Sequence, residues 1–248
     1  MKSDLDITDL EKVEKTVAMV KPDVLINCAA LRNKTCMRNH LNAYMVNAFA
    51  AYYLSAACKV CGAVFVHIST DYVFDGRTGN YTEEEKANPE GIYGRTKYMG
   101  ERLALKANGQ CLIMRTAWLY GRHGGNFVHD IIKKAKSGYI DVVDDQTGNP
   151  TSAAELVSMI GAAVNAKRYG IYHAVCGGQA SRYDFAKKIV ELAGIPCSIR
   201  AVKTENGKSA NTSLSNRKLR GETGYEPAEW RQALTDYMRN EAIIANIL

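Results

Sequence analysis

The stretch GIYGRTKYMGE, residues 91–101, sets Tyr93 four residues ahead of Lys97, a spacing that places both side chains on one face of a helix. A free phenol titrates near ~10, and a neighbouring ammonium favours its ionised form, so such a pair can give or take a proton near neutral pH. The same residues also suit an ordinary amphipathic helix with the tyrosine half-buried and the lysine in water. Tyr183 and Lys187 repeat the spacing, so spacing alone does not decide. What sets the first pair apart is STDYVFDG, residues 69–76, in which Ser69 and Thr70 close a strand-like run with two hydroxyls; Tyr93 follows Thr70 by 23 residues, and no comparable run precedes Tyr183. A tyrosine at the start of the next helix can reach back over that strand tip, leaving the Thr70 hydroxyl to hold a substrate oxygen.

Alternating elements must position these groups. Thr8 and Glu11 form a capping-box pattern, after which Leu10, Val13, Val17 and Val20 recur at helical spacing until Lys21-Pro22 ends the run. VLIN (24–27) reads as a short strand covered on both sides, and a helix through 45–60 leads to a second such strand at 63–69. Helices near 91–107, 126–137, 152–165 and 181–193 then alternate with strands at 111–116, 139–143 and 171–175. Strict alternation predicts an α/β fold with a doubly wound, parallel, Rossmann-like sheet, whose sites lie beyond the strand carboxyl ends at 27–32, 69–76 and 116–126. Turn-rich stretches such as DDQTGNPTS and KTENGKSANTS loosen the pattern after about 145. The expected division is an incomplete dinucleotide-binding domain over 1–145 and a smaller substrate-binding region over 146–248, partly interleaved with it.

Composition narrows the chemistry. Across 248 residues the apolar fraction is 46% and the charged fraction 23%, ordinary values for a globular chain. A net charge of +6 helps hold an anionic ligand but is too diffuse to call for nucleic acid. Seven cysteines without regular spacing predict reduced thiols and a cytoplasmic setting. Cys58 and Cys61 form a CxxC with neither a second pair nor a histidine cluster, and the five histidines are scattered, so no metal site is expected. No apolar run reaches the ~18–20 residues that span a bilayer, and the opening MKSDLDITD lacks the apolar core of a signal peptide.

Taken in order, DVLINCAA, VHISTDYVFDG, NPEGIYGRTKYMGE, MRTAWLYG, GNF, DDQTGNPTSAAEL and GIYHAVCGG resemble the dTDP-4-dehydrorhamnose reductases, a branch of the extended short-chain dehydrogenase/reductases. The resemblance covers nearly the whole chain and thins over the last fifty residues. It implies reduction of the C4 keto group of a dTDP-4-keto-6-deoxysugar by NADPH or NADH, with Thr70, Tyr93 and Lys97 as the catalytic set and Tyr93 protonating the keto oxygen. Lys97 is implied to bond the nicotinamide ribose and Ser69 to stand beside the cofactor, with Cys28, Ala29 and Ala30 lining it and Asp6 and Ile7 near the adenine. Tyr72 and Trp118 are implied to contact the sugar, and Asn126 to stand near the nucleotide diphosphate. For Trp118 a place in the core, and for Asn126 a helix cap, are equally open readings. Asn47 resembles the superfamily asparagine that orders water near the lysine, and an ordinary helical polar residue fits it as well. The family also suggests a homodimer, with a nucleotide sugar as the small-molecule partner.

Two departures qualify the resemblance. The family begins with a strand and a Gly-x-x-Gly-x-x-Gly turn whose backbone N–H groups receive the cofactor pyrophosphate. This sequence opens at the equivalent of the third strand, about thirty residues later, so the expectation is a truncated form of such an enzyme with 24–27 less buried than their composition demands. The loop LRNKTCMRN, 31–39, is basic where the family usually has a threonine, an aspartate and a glutamate. Two rival readings therefore stand beside the reductase: a non-catalytic binding protein resembling the regulatory subunit of methionine adenosyltransferase, and a reductase or epimerase of another nucleotide sugar.

Overall fold

The computed structural model describes residues 5–205 and 210–239, so positions 206–209 of the KTENGKSANTS turn lie outside the described residues. Two compact units make up the chain: one takes residues up to 75, 83–115 and 160–172, the other 76–82, 116–159 and 173 onward. The boundary drawn from turn content at 145 falls inside the second unit.

The first unit is built on a four-stranded sheet. β1 (Val24–Asn27) pairs in parallel with β2 (Val64–Thr70), followed in the sheet order by β3 (Cys111–Thr116) and the strand Gly170–His173. All six residues of β3 are buried, which is what a continuous apolar run looks like when helices cover both faces. β1 stands at the end of the order with Val24 and Leu25 half-buried and Ile26 47% exposed, less covered than its composition demands, as expected.

Helix α1 (Leu10–Val20) turns Val13 and Val17 into a core with Leu54 and Cys58 of the later helix Ala50–Cys61 and Phe65 and Ile113 of the sheet. Its cap differs from the Thr8–Glu11 box. Asp9 is the N-cap, accepting the Lys12 N–H at 3.1 Å, because Thr8 is already bonded through its N–H and hydroxyl to Asp6 and Glu11 pairs with Lys15 at 2.6 Å. Cys58 is buried and its thiol is pushed up to about 12 by desolvation, so the CxxC behaves as core packing.

In the second unit, helices Phe127–Ala135 and Arg182–Ala193 close over a core that includes Ile132, Phe185, Ile189, Trp230 and Leu234. The strand Tyr139–Val143, expected as a member of the main sheet, instead pairs in parallel with Ser198–Val202 in a sheet of two. Its burial alternates along the strand, the mark of a strand covered on one face only. None of the helices among the described residues is long and apolar enough to cross a membrane.

Candidate active site

Tyr93 and Lys97 stand in the first two turns of the helix Ile92–Ala107, whose buried face is small and polar: Gly94, Thr96, Lys97, Gly100, Glu101 and Ala104. Two glycines let this helix come close. A Cβ on Gly94 would run into the Tyr72 carbonyl oxygen, and one on Gly100 into that of Asn47. The approach brings Tyr93 to the tip of β2, where its phenol stands near enough to the Thr70 hydroxyl to feel it and its ring meets Tyr72 edge-on, centroids 5.8 Å apart. Thr70 is held in turn, its hydroxyl donating to Asp71 Oδ1 at 3.0 Å and accepting the Tyr72 N–H at 3.3 Å.

The electrostatics differ from what the spacing suggests. Burial and the nearby Asp71 carboxylate push the Tyr93 phenol up to about 12, while the Thr70 hydroxyl acts in the opposite sense. Lys97 does not hold it down, because Nζ turns away to donate to the Ile68 carbonyl at 2.6 Å and lies 3.0 Å from His67 Nε2. Lys97 is itself 1% exposed, and desolvation brings it down to about 8 against the pull of Glu101 and Cys28. A phenol held protonated beside a hydroxyl is suited to donating a proton to an oxygen placed between them.

Beneath this pair lies a buried charge network. Glu101, one turn after Lys97, takes Arg115 side-on through Nε at 3.0 Å and Nη2 at 2.8 Å, and accepts the Ser69 hydroxyl at 2.5 Å. Ser69 thus ties the strand tip to the helix rather than presenting its hydroxyl outward. Asn47 sits in a π-helical turn, Met45–Phe49, fully buried; its oxygen accepts the Leu31 N–H at 2.8 Å, and its amide donates to Leu31 O at 2.9 Å and Thr96 Oγ1 at 3.0 Å. These bonds pin the segment after β1 to the helix that carries Tyr93 and Lys97. Cys28, Ala29 and Ala30, just past the β1 tip, are exposed, and the Cys28 thiol lies within electrostatic reach of Lys97.

The remaining candidates have local partners of their own. Asp6 spends its carboxylate on Thr8, at 3.0 Å to N–H and 2.7 Å to the hydroxyl, and Ile7 packs half-buried against the α1 core. In the second unit Asn126 caps Phe127–Ala135, accepting the His129 N–H at 3.3 Å and donating to Gly121 O at 2.9 Å. Trp118 is half-buried in the left-handed region at φ 43°, with the Arg182 guanidinium 3.6 Å over its ring. Gly148 leaves room for that indole, since a Cβ there would overlap it. Sequence reading passed over Asn27, His67, Asp71, Glu101 and Arg115. A clue for His67 was available: a histidine inside a strand covered on both faces needs partners.

A sheet whose second strand ends in paired hydroxyls, met by a helix carrying tyrosine and lysine one turn apart, defines a chain of the short-chain dehydrogenase/reductase class. Residues 1–243 match the family described as the RmlD substrate binding domain, and the chain belongs to that family, the family of the dTDP-4-dehydrorhamnose reductases. The spore coat polysaccharide biosynthesis protein SpsK of Bacillus subtilis is 35% identical over 246 residues, covering 96% of this chain and 86% of that protein. The crystal structure of a dTDP-4-dehydrorhamnose reductase of Clostridium acetobutylicum superposes with a TM-score of 0.91 at 38% identity, covering 96% of this chain and 88% of that one. That of the Bacillus anthracis dTDP-4-dehydrorhamnose reductase in complex with NADP gives 0.90 at 34%, covering 95% and 86%.

Proposed function

We infer that this chain reduces the C4 keto group of a dTDP-4-keto-6-deoxysugar, dTDP-4-dehydrorhamnose first among them. The observation that carries the reading is the Tyr93 phenol, kept protonated by burial and set near the Thr70 hydroxyl at the β2 tip, in a chain similar to reductases of that substrate. A keto oxygen between the two hydroxyls accepts a hydrogen bond from Tyr93, and one from Thr70 when its hydrogen turns to it from Asp71 Oδ1; as charge develops on that oxygen the Tyr93 proton transfers across. Tyr72, 44% exposed and edge-on to Tyr93, offers a ring for the sugar to rest on, and Trp118 is assigned a second sugar contact.

The residues present fit the nicotinamide end of NADPH or NADH. Small residues at 28–30 leave the β1 tip open to a flat ligand, and as an ammonium Lys97 keeps one N–H beyond those facing Ile68 O and His67, free for a ribose hydroxyl. When bound, the dinucleotide supplies the hydride. Asn47 holds the wall of that space through Leu31; Asp6 and Ile7 are assigned to the adenine side and Asn126 to the diphosphate of the sugar nucleotide. The reading takes the cytoplasm as its compartment and a homodimer as its assembly. The test is loss of NADPH or NADH absorbance when the purified chain meets dTDP-4-dehydrorhamnose and a panel of other nucleotide keto sugars. Turnover of the first supports the reading, turnover of another alone reassigns the substrate, and nicotinamide binding without turnover of any defeats it.

A further inference from the structure

Asn27 and His67 lie directly behind Lys97, and the reaction as read above makes no use of them. The β1–β2 register sets them side by side. His67 is fully buried, with Nε2 3.0 Å from Lys97 Nζ and Nδ1 3.1 Å from Asn27 Nδ2. The orientation of Asn27 is fixed from its other end, where Oδ1 accepts the Ala29 N–H at 3.1 Å, so the NH2 group faces the ring.

Burial holds His67 well below its usual value, so the ring is neutral and carries one proton. With an Asn27 N–H on the Nδ1 lone pair, that proton sits on Nε2 and points at Lys97 Nζ. Lys97 must then receive it on a lone pair, which only the neutral amine possesses. An ammonium in the same place would set two hydrogens face to face. It requires the ring proton on Nδ1 and the Asn27 carboxamide turned to offer its oxygen there, which releases the Ala29 N–H.

We propose that His67 and Asn27 are positioning residues that couple the protonation of Lys97 to the tip of β1. In the amine state the Ala29 N–H is tied to Asn27 Oδ1. In the ammonium state the His67 proton is on Nδ1, Asn27 is turned, and the Ala29 N–H is open to an acceptor on the cofactor. The ring keeps one proton in both states; the proton gained is the one on Nζ. Around Lys97, Glu101 in its pair with Arg115 and the Cys28 thiol favour the ammonium, while Asp71 and Cys36 bear on Tyr93.

The proposal deepens the reductase reading and rests on it for its use, yet its test needs no turnover, so the two can fail separately. In the ligand-free, 15N-labelled chain, the ring nitrogens of His67 are followed by long-range 1H–15N correlation from about pH 6 to about pH 10. The expected result is a neutral ring throughout, with its proton on Nδ1 at the acid end and on Nε2 at the alkaline end, crossing where Lys97 titrates at about 8. Exchange protection of the Ala29 amide rises through the same midpoint. Asn27→Asp, which can only accept, is expected to fix the Nδ1–H form and tighten proton binding at Lys97 at least tenfold, while Lys97→Met removes the crossing. A His67 ring whose proton stays on one nitrogen across the range, or a crossing that persists in Lys97→Met, overturns the coupling.

Discussion

Two tyrosine–lysine pairs with identical spacing have opposite fates. On Ile92–Ala107 the buried face is made of glycine, threonine, lysine and glutamate, and Lys97 lies within it at 1% exposure. On Arg182–Ala193 the buried face is Phe185, Ala186, Ile189 and Val190; Lys187 is exposed and Tyr183 half-buried. A lysine enters a core only where acceptors await it, because an unpaired buried ammonium costs several kcal/mol. Ile68 O and His67 meet Lys97, and Glu101 lies one turn on. The i,i+4 interval thus supplies a shared face, and the neighbouring strand decides whether that face does chemistry.

The largest contrast is in turnover. Tyr93→Phe removes the proposed proton donor while keeping the ring that packs on Tyr72, so kcat is expected to fall ~10²–10⁴-fold with little change in melting temperature. Steady-state assay with the keto sugar and NADPH, beside a thermal melt, measures both. Full activity in this variant removes Tyr93 from the mechanism and erases the distinction between the two pairs.

Next comes the support under the active pair. Glu101→Gln leaves the Arg115 guanidinium buried without its carboxylate, a change expected to cost about 3–5 kcal/mol in chemical denaturation. The exposed pair of Arg200 with Asp141, 2.6 Å apart, gives the counterexample: Asp141→Asn should leave the denaturation midpoint nearly unchanged. Equal losses would mean that burial does not distinguish the two networks.

Lys97 also leaves a signature in the pH dependence of stability. Its folded value of about 8 lies below the 10.5 of the free side chain, so between these the unfolded chain binds more protons and stability rises with pH, by up to about 3 kcal/mol. Tyr93 works in the opposite sense higher up, since its phenol is held up to about 12 and stability is lost as pH climbs past the free value of 10.0. Cys58, Cys111 and Cys176, each pushed up to about 12 by burial, lower stability over the upper part of the same range in parent and variant alike, so the signature of Lys97 is the difference between the two curves. Denaturation from pH 7 to pH 10 in the parent and in Lys97→Met measures it; the parent should gain on the variant as pH rises, and a difference that stays flat or falls contradicts a buried, depressed Lys97.

How much of this could be read from the chain itself varies with range. VLIN, CLIMRT and YIDVV mark their strands at the bounds observed, because short apolar runs between turn residues are local signals. The sheet that YIDVV joins was not legible, since pairing with Ser198–Val202 is a long-range choice. The Tyr93–Thr70 contact was legible as a strand tip followed by a helix start. The ionisation of that pair was not: spacing fixes which face Lys97 shares, while its side-chain torsions, set by the Ile68 carbonyl and His67, fix where the charge points. His67 itself became meaningful only through the register that sets it opposite Asn27.

The smallest expected effect sharpens the comparison most. Lys187 is exposed on Arg182–Ala193, so Lys187→Met should leave kcat within about twofold and stability within ~0.5 kcal/mol. Tyr183→Phe keeps the half-buried ring and removes only its hydroxyl, with the same expectation for turnover. The double variant should behave as the sum of the two, because neither side chain belongs to a buried network. Were turnover to collapse in these variants while Tyr93→Phe retained it, the second helix would carry the proton and the hydroxyls at the β2 tip would be structural. The parallel measurement on both helices therefore separates a face that is merely shared from one that faces a reacting oxygen.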